Sequence, residues 1–160
     1  HHLSDTAIAN LAHRVSSTPK QRLHTVIKSG ELTPRCYALL LTELRTRNDW
    51  VASKRTIEWA TSTERTKINV RHWTTAISTC ASAKRWREAL RLLALASDQG
   101  HLDLSCFNAV IAACASAGRV REAMRLLERD IPAAGLRADA YSYAATFNAI
   151  GQAACRGGHM

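Results

Sequence analysis

Residues 80–93 spell CASAKRWREALRLL, and residues 114–127 spell CASAGRVREAMRLL. The two words lie 34 residues apart and agree at 11 of 14 positions, differing only at Lys84/Gly118, Trp86/Val120 and Leu90/Met124. A recurrence this dense, at such a period, marks an array of repeated supersecondary units. Each unit buries its apolar face against its neighbours rather than in a private core. Apolar positions within each word follow helical spacing, and Gly and Pro are scarce, with 7 and 3 in 160 residues. The expected fold is therefore all-α, an α-α superhelix (solenoid) of stacked helical hairpins.

The frame extends along the chain. Residues 1–33 are expected to form a helical hairpin, either a degenerate repeat or an end cap. Ser4 and Asp5 begin its first helix, whose stripe is Ala7, Ile8, Leu11, Ala12 and Val15. Pro19 is expected as the first residue of the second helix, with Leu23, Val26 and Ile27 inward and Gly30 at its end. In the unit at 34–69, Tyr37, Leu40, Leu41 and Leu44 line one helix and Trp50, Ile57 and Trp59 the other, with Asn48 and Asp49 between them. In the unit at 70–103, Trp73, Ala76, Ile77 and Cys80 face Trp86, Ala89, Leu92 and Leu93 across a turn at Lys84. In the unit at 104–139, Phe107, Val110, Ile111 and Cys114 face Val120, Ala123, Leu126 and Leu127 across Gly118, and Pro132 is expected to end the hairpin. A partial unit, 140–160, opens with Tyr143, Phe147 and Ile150. Its register has two solutions, because Phe147-Asn148-Ala149-Ile150 also imitates Phe107-Asn108-Ala109-Val110 after a slip of four residues. The chain ends part-way into that unit and is expected to be an excerpt of a longer array.

Charge narrows the partners. There are 22 Lys and Arg, 17 of them Arg, against 13 Asp and Glu, a formal net charge of +9 at pH 7. That balance favours a polyanion, and the planar guanidinium suits phosphate. Five cysteines lack any CxxC pair or zinc-like spacing. Cys80 and Cys114 are equivalent by the repeat frame, as are Cys36 and Cys106, which is the behaviour of buried thiols in a reducing compartment. No metal or other cofactor is expected. No apolar run nears the ~18 residues of a membrane span. Nucleotide-binding, hydrolase and metalloprotease motifs are missing, no carboxylate pair is placed for acid–base work, and His72 and His101 fall at unit edges as surface residues. Enzymatic activity is not expected.

The words SCFNAVIAACASAGRVREAMRLLERDIPAAGLRAD and VRHWTTAISTCASAKRWREALRLLALASDQGHLD resemble the pentatricopeptide repeat family. Tetratricopeptide repeats are similar in length but would want a small residue where Ile77 and Ile111 stand. The resemblance is closest over 70–139, looser over 34–69, partial over 140–160 and weakest over 1–33. It implies single-stranded RNA as partner, one base per repeat, each base read by two or three side chains. Carried over by position, the base-reading pairs are Thr74 with Asp103, for a purine, and Asn108 with Asp139, for a pyrimidine. Ala38 with Asn69 occupies the same places, but Ala38 cannot hydrogen-bond a base, and Ala144 repeats that departure. Arg71, Ser105 and Tyr141 stand where the family wedges an aliphatic residue between bases.

The second helices carry Arg85, Arg87, Arg91, Arg119, Arg121 and Arg125, where relatives commonly carry acids. On the convex face these form a ladder, either a solvated surface or a docking face for the phosphates of structured RNA. The family resemblance further implies an organelle, the mitochondrial matrix or alternatively a plastid. There the protein would serve RNA metabolism or translation, either as a free factor or as a ribosome-associated component holding ribosomal RNA beside neighbouring proteins. The competing expectation is a protein–protein scaffold in a large organellar complex.

Overall fold

The computed structural model describes residues 3–27, 32–63 and 67–157. Its helices are α1 (Asp5–Ser17), α2 (Leu23–Val26), α3 (Pro34–Thr46), α4 (Trp50–Ser62), α5 (Val70–Ser82), α6 (Trp86–Asp98), α7 (Leu104–Ser116), α8 (Val120–Arg125), α9 (Ile131–Ala133) and α10 (Ala140–Gly157). A π-helical turn, Leu126–Asp130, joins α8 to α9, and a 3₁₀ turn, Lys20–Arg22, leads into α2. The first helices of the units, α1, α3, α5, α7 and α10, pack in one consecutive row. The helices α4, α6 and α8 each wedge against their own first helix and the next one. This is an all-α solenoid, and the closely packed first-helix row forms its inner layer.

Three of the hairpin turns are copies of one another. Each ends its first helix with a Schellman pair of hydrogen bonds: Asn48 N–H to Arg45 O with Asp49 N–H to Leu44 O, Lys84 N–H to Ala81 O with Arg85 N–H to Cys80 O, and Gly118 N–H to Ala115 O with Arg119 N–H to Cys114 O. The motif needs a left-handed residue after the cap, so Asn48, Lys84 and Gly118 have φ of 56°, 58° and 71°. Only Gly adopts this without strain, and Lys84 occupies it at a cost of about 1–2 kcal/mol.

The stripes read from sequence form the core. Leu40, Leu41, Leu44, Ile57, Trp73, Ala76, Ile77, Cys80, Ala89, Leu92, Val110, Ile111, Cys114, Ala123 and Leu126 are essentially inaccessible. Burial of side chains of the Val, Leu and Ile class contributes roughly 1.5–3 kcal/mol each before entropy is counted.

Several local expectations are corrected. Pro19 does not open a helix: its ψ of 153° is extended, and it precedes the 3₁₀ turn. The Arg55 guanidinium, donating to Thr18 O at 2.9 Å and Ser16 O at 3.2 Å, holds this corner. Gly30 lies outside the described residues. Pro132 does not end the third hairpin but sits inside α9. The preceding π turn, closed by Ile131 N–H to Leu126 O, widens the helix where a proline ring would otherwise strike the carbonyl four residues back. In α10 the buried residues are Ser142, Thr146 and Ala149, whereas Tyr143, Phe147 and Ile150 are exposed. These three occupy the face that in α7 (Phe107, Ile111, Cys114) is covered by a second helix. Trp50 and Trp86 are half-buried rather than core residues. His72 is not a surface residue: it is 2% exposed.

Candidate nucleic-acid interface

The inner row begins each helix in the same way. Thr33, Asn69, Asp103 and Asp139 precede α3, α5, α7 and α10, and each side chain accepts a backbone N–H three residues on: Cys36, His72, Cys106 and Ser142 respectively. These are N-caps, and the residue type follows from the orphan donors of a first helical turn. The residues taken from sequence as closing each unit are thus also the caps of the next first helix. The capping bonds of Asp103 and Asp139 fall on Oδ1, at the edge of the inner layer.

The paired positions differ in how they meet. Asn108 Nδ2 donates to Asp139 Oδ1 at 3.3 Å across 31 residues of sequence. Ser142 joins them: its hydroxyl lies 2.6 Å from Asn108 Oδ1 and 2.9 Å from Asp139 Oδ1, and it receives Asp139 N–H at 3.2 Å. The backbone N–H groups of Ser142 and Tyr141 and the Asn108 amide hold the Asp139 carboxyl below the usual aspartate range. Asp139 is therefore an acceptor at neutral pH.

Thr74 and Asp103 meet only through an intermediary. Thr74 Oγ1 donates to Val70 O at 3.0 Å and lies 3.3 Å from Cys106 Sγ, while Cys106 N–H donates to Asp103 Oδ1 at 2.9 Å. Burial pushes the Cys106 thiol up to about 11, so it is a neutral neighbour. At the third junction Ala38 offers a methyl, and Asn69 is absorbed in a capping box with His72, whose Nδ1 takes Asn69 N–H at 3.0 Å. His72 Nε2 lies 2.8 Å from Pro34 O, which fixes the neutral Nε2–H tautomer. Ala144 follows α10 from Ala140 in the same place as Asn108 in α7, and it is exposed. Arg71, Ser105 and Tyr141, in the first turns of α5, α7 and α10, are all exposed, Tyr141 at 59%.

The arginines divide into two groups. Arg87, Arg91, Arg121 and Arg125 are exposed on α6 and α8. Arg91 pairs with Glu88 at 2.8 Å, and Arg125 lies 3.8 Å from Asp130. Glu88 also receives Lys54 from the preceding unit, whose ammonium holds the Glu88 carboxyl below its usual value. Arg85 and Arg119 are not on a helix face but at its N-cap, with no capping side chain, where Asp49 caps α4. A cation there opposes the helix dipole. Each stacks instead on a ring of the preceding unit: Arg85 over Trp50 at 5.0 Å and Arg119 over Trp86 at 4.8 Å. Arg87 lies over the same Trp86 ring at 5.1 Å.

Cys106 and Ser142 were passed over in the sequence, where the only signal for them is an approximate spacing. Cys106 and Ser142 lie 32 and 34 residues beyond Thr74 and Asn108, about one repeat away, which is where a solenoid places a side-by-side neighbour.

The PPR repeat family matches residues 71–100 and 105–129, the segments that form α5–α6 and α7 through the π turn. The chain carries PPR repeats. Comparison with curated proteins gave no match. PPR repeats carry a general RNA-binding role, and the family is typically non-enzymatic. Among the described residues of this PPR protein, no helix is long and apolar enough to cross a membrane.

Proposed function

We propose that the inner layer of this PPR protein reads single-stranded RNA bases through Asn108 with Asp139 and Thr74 with Asp103. We further propose that the protein acts in organellar RNA metabolism or translation, in the mitochondrial matrix or alternatively a plastid. The observation that carries the proposal is the 3.3 Å contact of Asn108 with Asp139 at the edge of the first-helix row, a donor and an acceptor side by side. An unstacked base presents a matching acceptor and donor on its Watson–Crick edge. Arg71, Ser105 and Tyr141, exposed beside the pairs, would lie between successive bases. Among the described residues two junctions carry polar pairs, which favours a short read and a larger electrostatic share of affinity. The exposed Arg87, Arg91, Arg121 and Arg125, together with a net charge of +9, suit a ribosome-associated component held to ribosomal RNA phosphates.

The methyls of Ala38 and Ala144 and the exposed Tyr141 favour a second reading, in which part of the groove holds a protein of a large organellar complex. Crosslinking and sequencing of RNA bound to the protein in its native complex separates the two. Recovery of ribosomal RNA fragments is the expected result, messenger or precursor RNA would assign a free factor, and recovery of no RNA would replace RNA reading with the scaffold.

A further inference from the structure

The most telling contact at the interface is one that neither repeat can make alone. Asn108 belongs to α7, Ser142 to α10, and Asp139 to the loop between the units, yet the three form one closed hydrogen-bonded cluster. Ser142 is fully buried. Its hydroxyl has one proton and two acceptors in reach. Asp139 Oδ1 already receives the Ser142 N–H at 2.9 Å and Asn108 Nδ2 at 3.3 Å, whereas Asn108 Oδ1 is the nearer, at 2.6 Å. The proton therefore goes to Asn108 Oδ1. The side-chain amide is then held at both ends, its NH₂ against a carboxylate that can only accept and its oxygen against a hydroxyl that donates.

We propose that Ser142 is a positioning residue for base recognition at this junction. It binds Asn108 Oδ1 and fixes the orientation of the amide, so that Asn108 presents its second Nδ2–H to a base while the Asp139 carboxylate offers the acceptor. This inference rests on the base-reading role proposed for Asn108 and Asp139. A freely flipping asparagine offers donor or acceptor with equal ease and discriminates poorly. With its oxygen anchored on Ser142 and its NH₂ turned to Asp139, it favours bases that present an acceptor to Asn108 and a donor to Asp139. The neighbouring junction has the same design with a weaker member: Cys106, in the place of Ser142, touches Thr74 Oγ1 through sulfur at 3.3 Å. A thiol is a poor donor and acceptor, so Cys106 fixes Thr74 less firmly than Ser142 fixes Asn108, and the Thr74 hydroxyl is held chiefly by its bond to Val70 O at 3.0 Å. At the Ala38 junction the equivalent residue, His72, turns away to Pro34 O.

The experiment uses the full chain and single-stranded RNA oligonucleotides varied over all dinucleotides at the two positions facing Thr74 and Asn108. Binding is measured for the native protein and for Asn108→Ala, Ser142→Ala and Ser142→Thr. Asn108→Ala should abolish discrimination at one nucleotide. Ser142→Ala should lower the ratio of preferred to non-preferred affinity at that same nucleotide by about five- to tenfold, the value of one buried hydrogen bond. Binding of the non-preferred RNAs should stay unchanged, which a general loss of folding would not produce. Ser142→Thr should restore the ratio. In the free protein, the Asn108 side-chain amide resonances should move in Ser142→Ala and return in Ser142→Thr. If Asn108→Ala erases discrimination but Ser142→Ala leaves the ratio and the amide resonances unmoved, the positioning role is overturned and base reading stands. If Asn108→Ala leaves discrimination intact, base reading itself fails, and the positioning role with it.

Discussion

His72 illustrates how one buried side chain can tie a unit boundary to pH. Its Nδ1 accepts from Asn69 and its Nε2–H gives to Pro34, so the ring is neutral and has no room for a second proton. Burial first, and then the charge of Arg71, lower its pKa below 6.5, with the Pro34 carbonyl acting against them. The sign follows from proton counting. Above pH 6.5 neither folded nor unfolded chain binds the proton, and the residue contributes no pH dependence. Below 6.5 the unfolded chain takes up a proton that the folded one declines, so stability falls on acidification until the lowered folded pKa is reached, by at most about 1.4 kcal/mol per pH unit. Denaturant midpoints taken at about pH 7.5 and about pH 5.5 should fall more for the native protein than for His72→Gln. Equal falls would refute the assignment. This residue was misplaced from sequence because a histidine at a unit edge looks like surface. Its burial depends on a carbonyl 38 residues away.

At the scale of the helix pair, the Arg–Trp contacts explain an apparent flaw in the sequence. Arg85 and Arg119 stand where a capping residue is worth about 1 kcal/mol, and their charge opposes the helix dipole. Stacking on Trp50 and Trp86 offsets that cost, at roughly 0.5–1 kcal/mol for a partly exposed pair. The contact crosses the boundary between units and so stabilises the stack rather than the hairpin. A double-mutant cycle on Trp86→Val, which copies Val120, and Arg119→Gln should return a coupling of about 0.5–1 kcal/mol in unfolding free energy. Strict additivity would show that the stacked pair clamps nothing. Hairpin turns and apolar stripes were legible in the sequence because they are local, set by residues within one turn of each other. The Arg–Trp and Ser142–Asn108 contacts were not, because each needs the offset between units to be known to the residue, and units of 36, 34 and 36 residues blur it. The π turn at Leu126–Asp130 was hidden for a related reason: the extra length of that unit reads as a longer loop until the helix is seen to absorb it.

Across the whole molecule, charge and recognition occupy different layers. The polar pairs sit on the inner row, and Arg87, Arg91, Arg121 and Arg125 sit exposed on second helices, only partly neutralised by Glu88 and Asp130. If the outer arginines bind phosphates, changing all four to Gln should weaken RNA binding for every sequence alike. It should also flatten the plot of log affinity against log salt by about 0.7 for each single-strand phosphate that is no longer neutralised, or 0.9 for a duplex phosphate. Base discrimination should be unaffected. Unchanged affinity and an unchanged salt slope would leave the outer face as solvated surface.

The caps of the inner row carry a consequence for how such a chain can change its target. Asp103 and Asp139 each serve two masters, a helix that needs an acceptor at its N-cap and the groove beside it. A helix start favours Asn, Asp, Ser or Thr there, and losing the capping oxygen costs about 0.5–2 kcal/mol. The five caps of the described inner row, Ser4, Thr33, Asn69, Asp103 and Asp139, never leave that set. Recoding at these sites is therefore biased by the backbone toward the short polar residues that cap a helix. The wider vocabulary is open to partners such as Asn108, which caps no helix end.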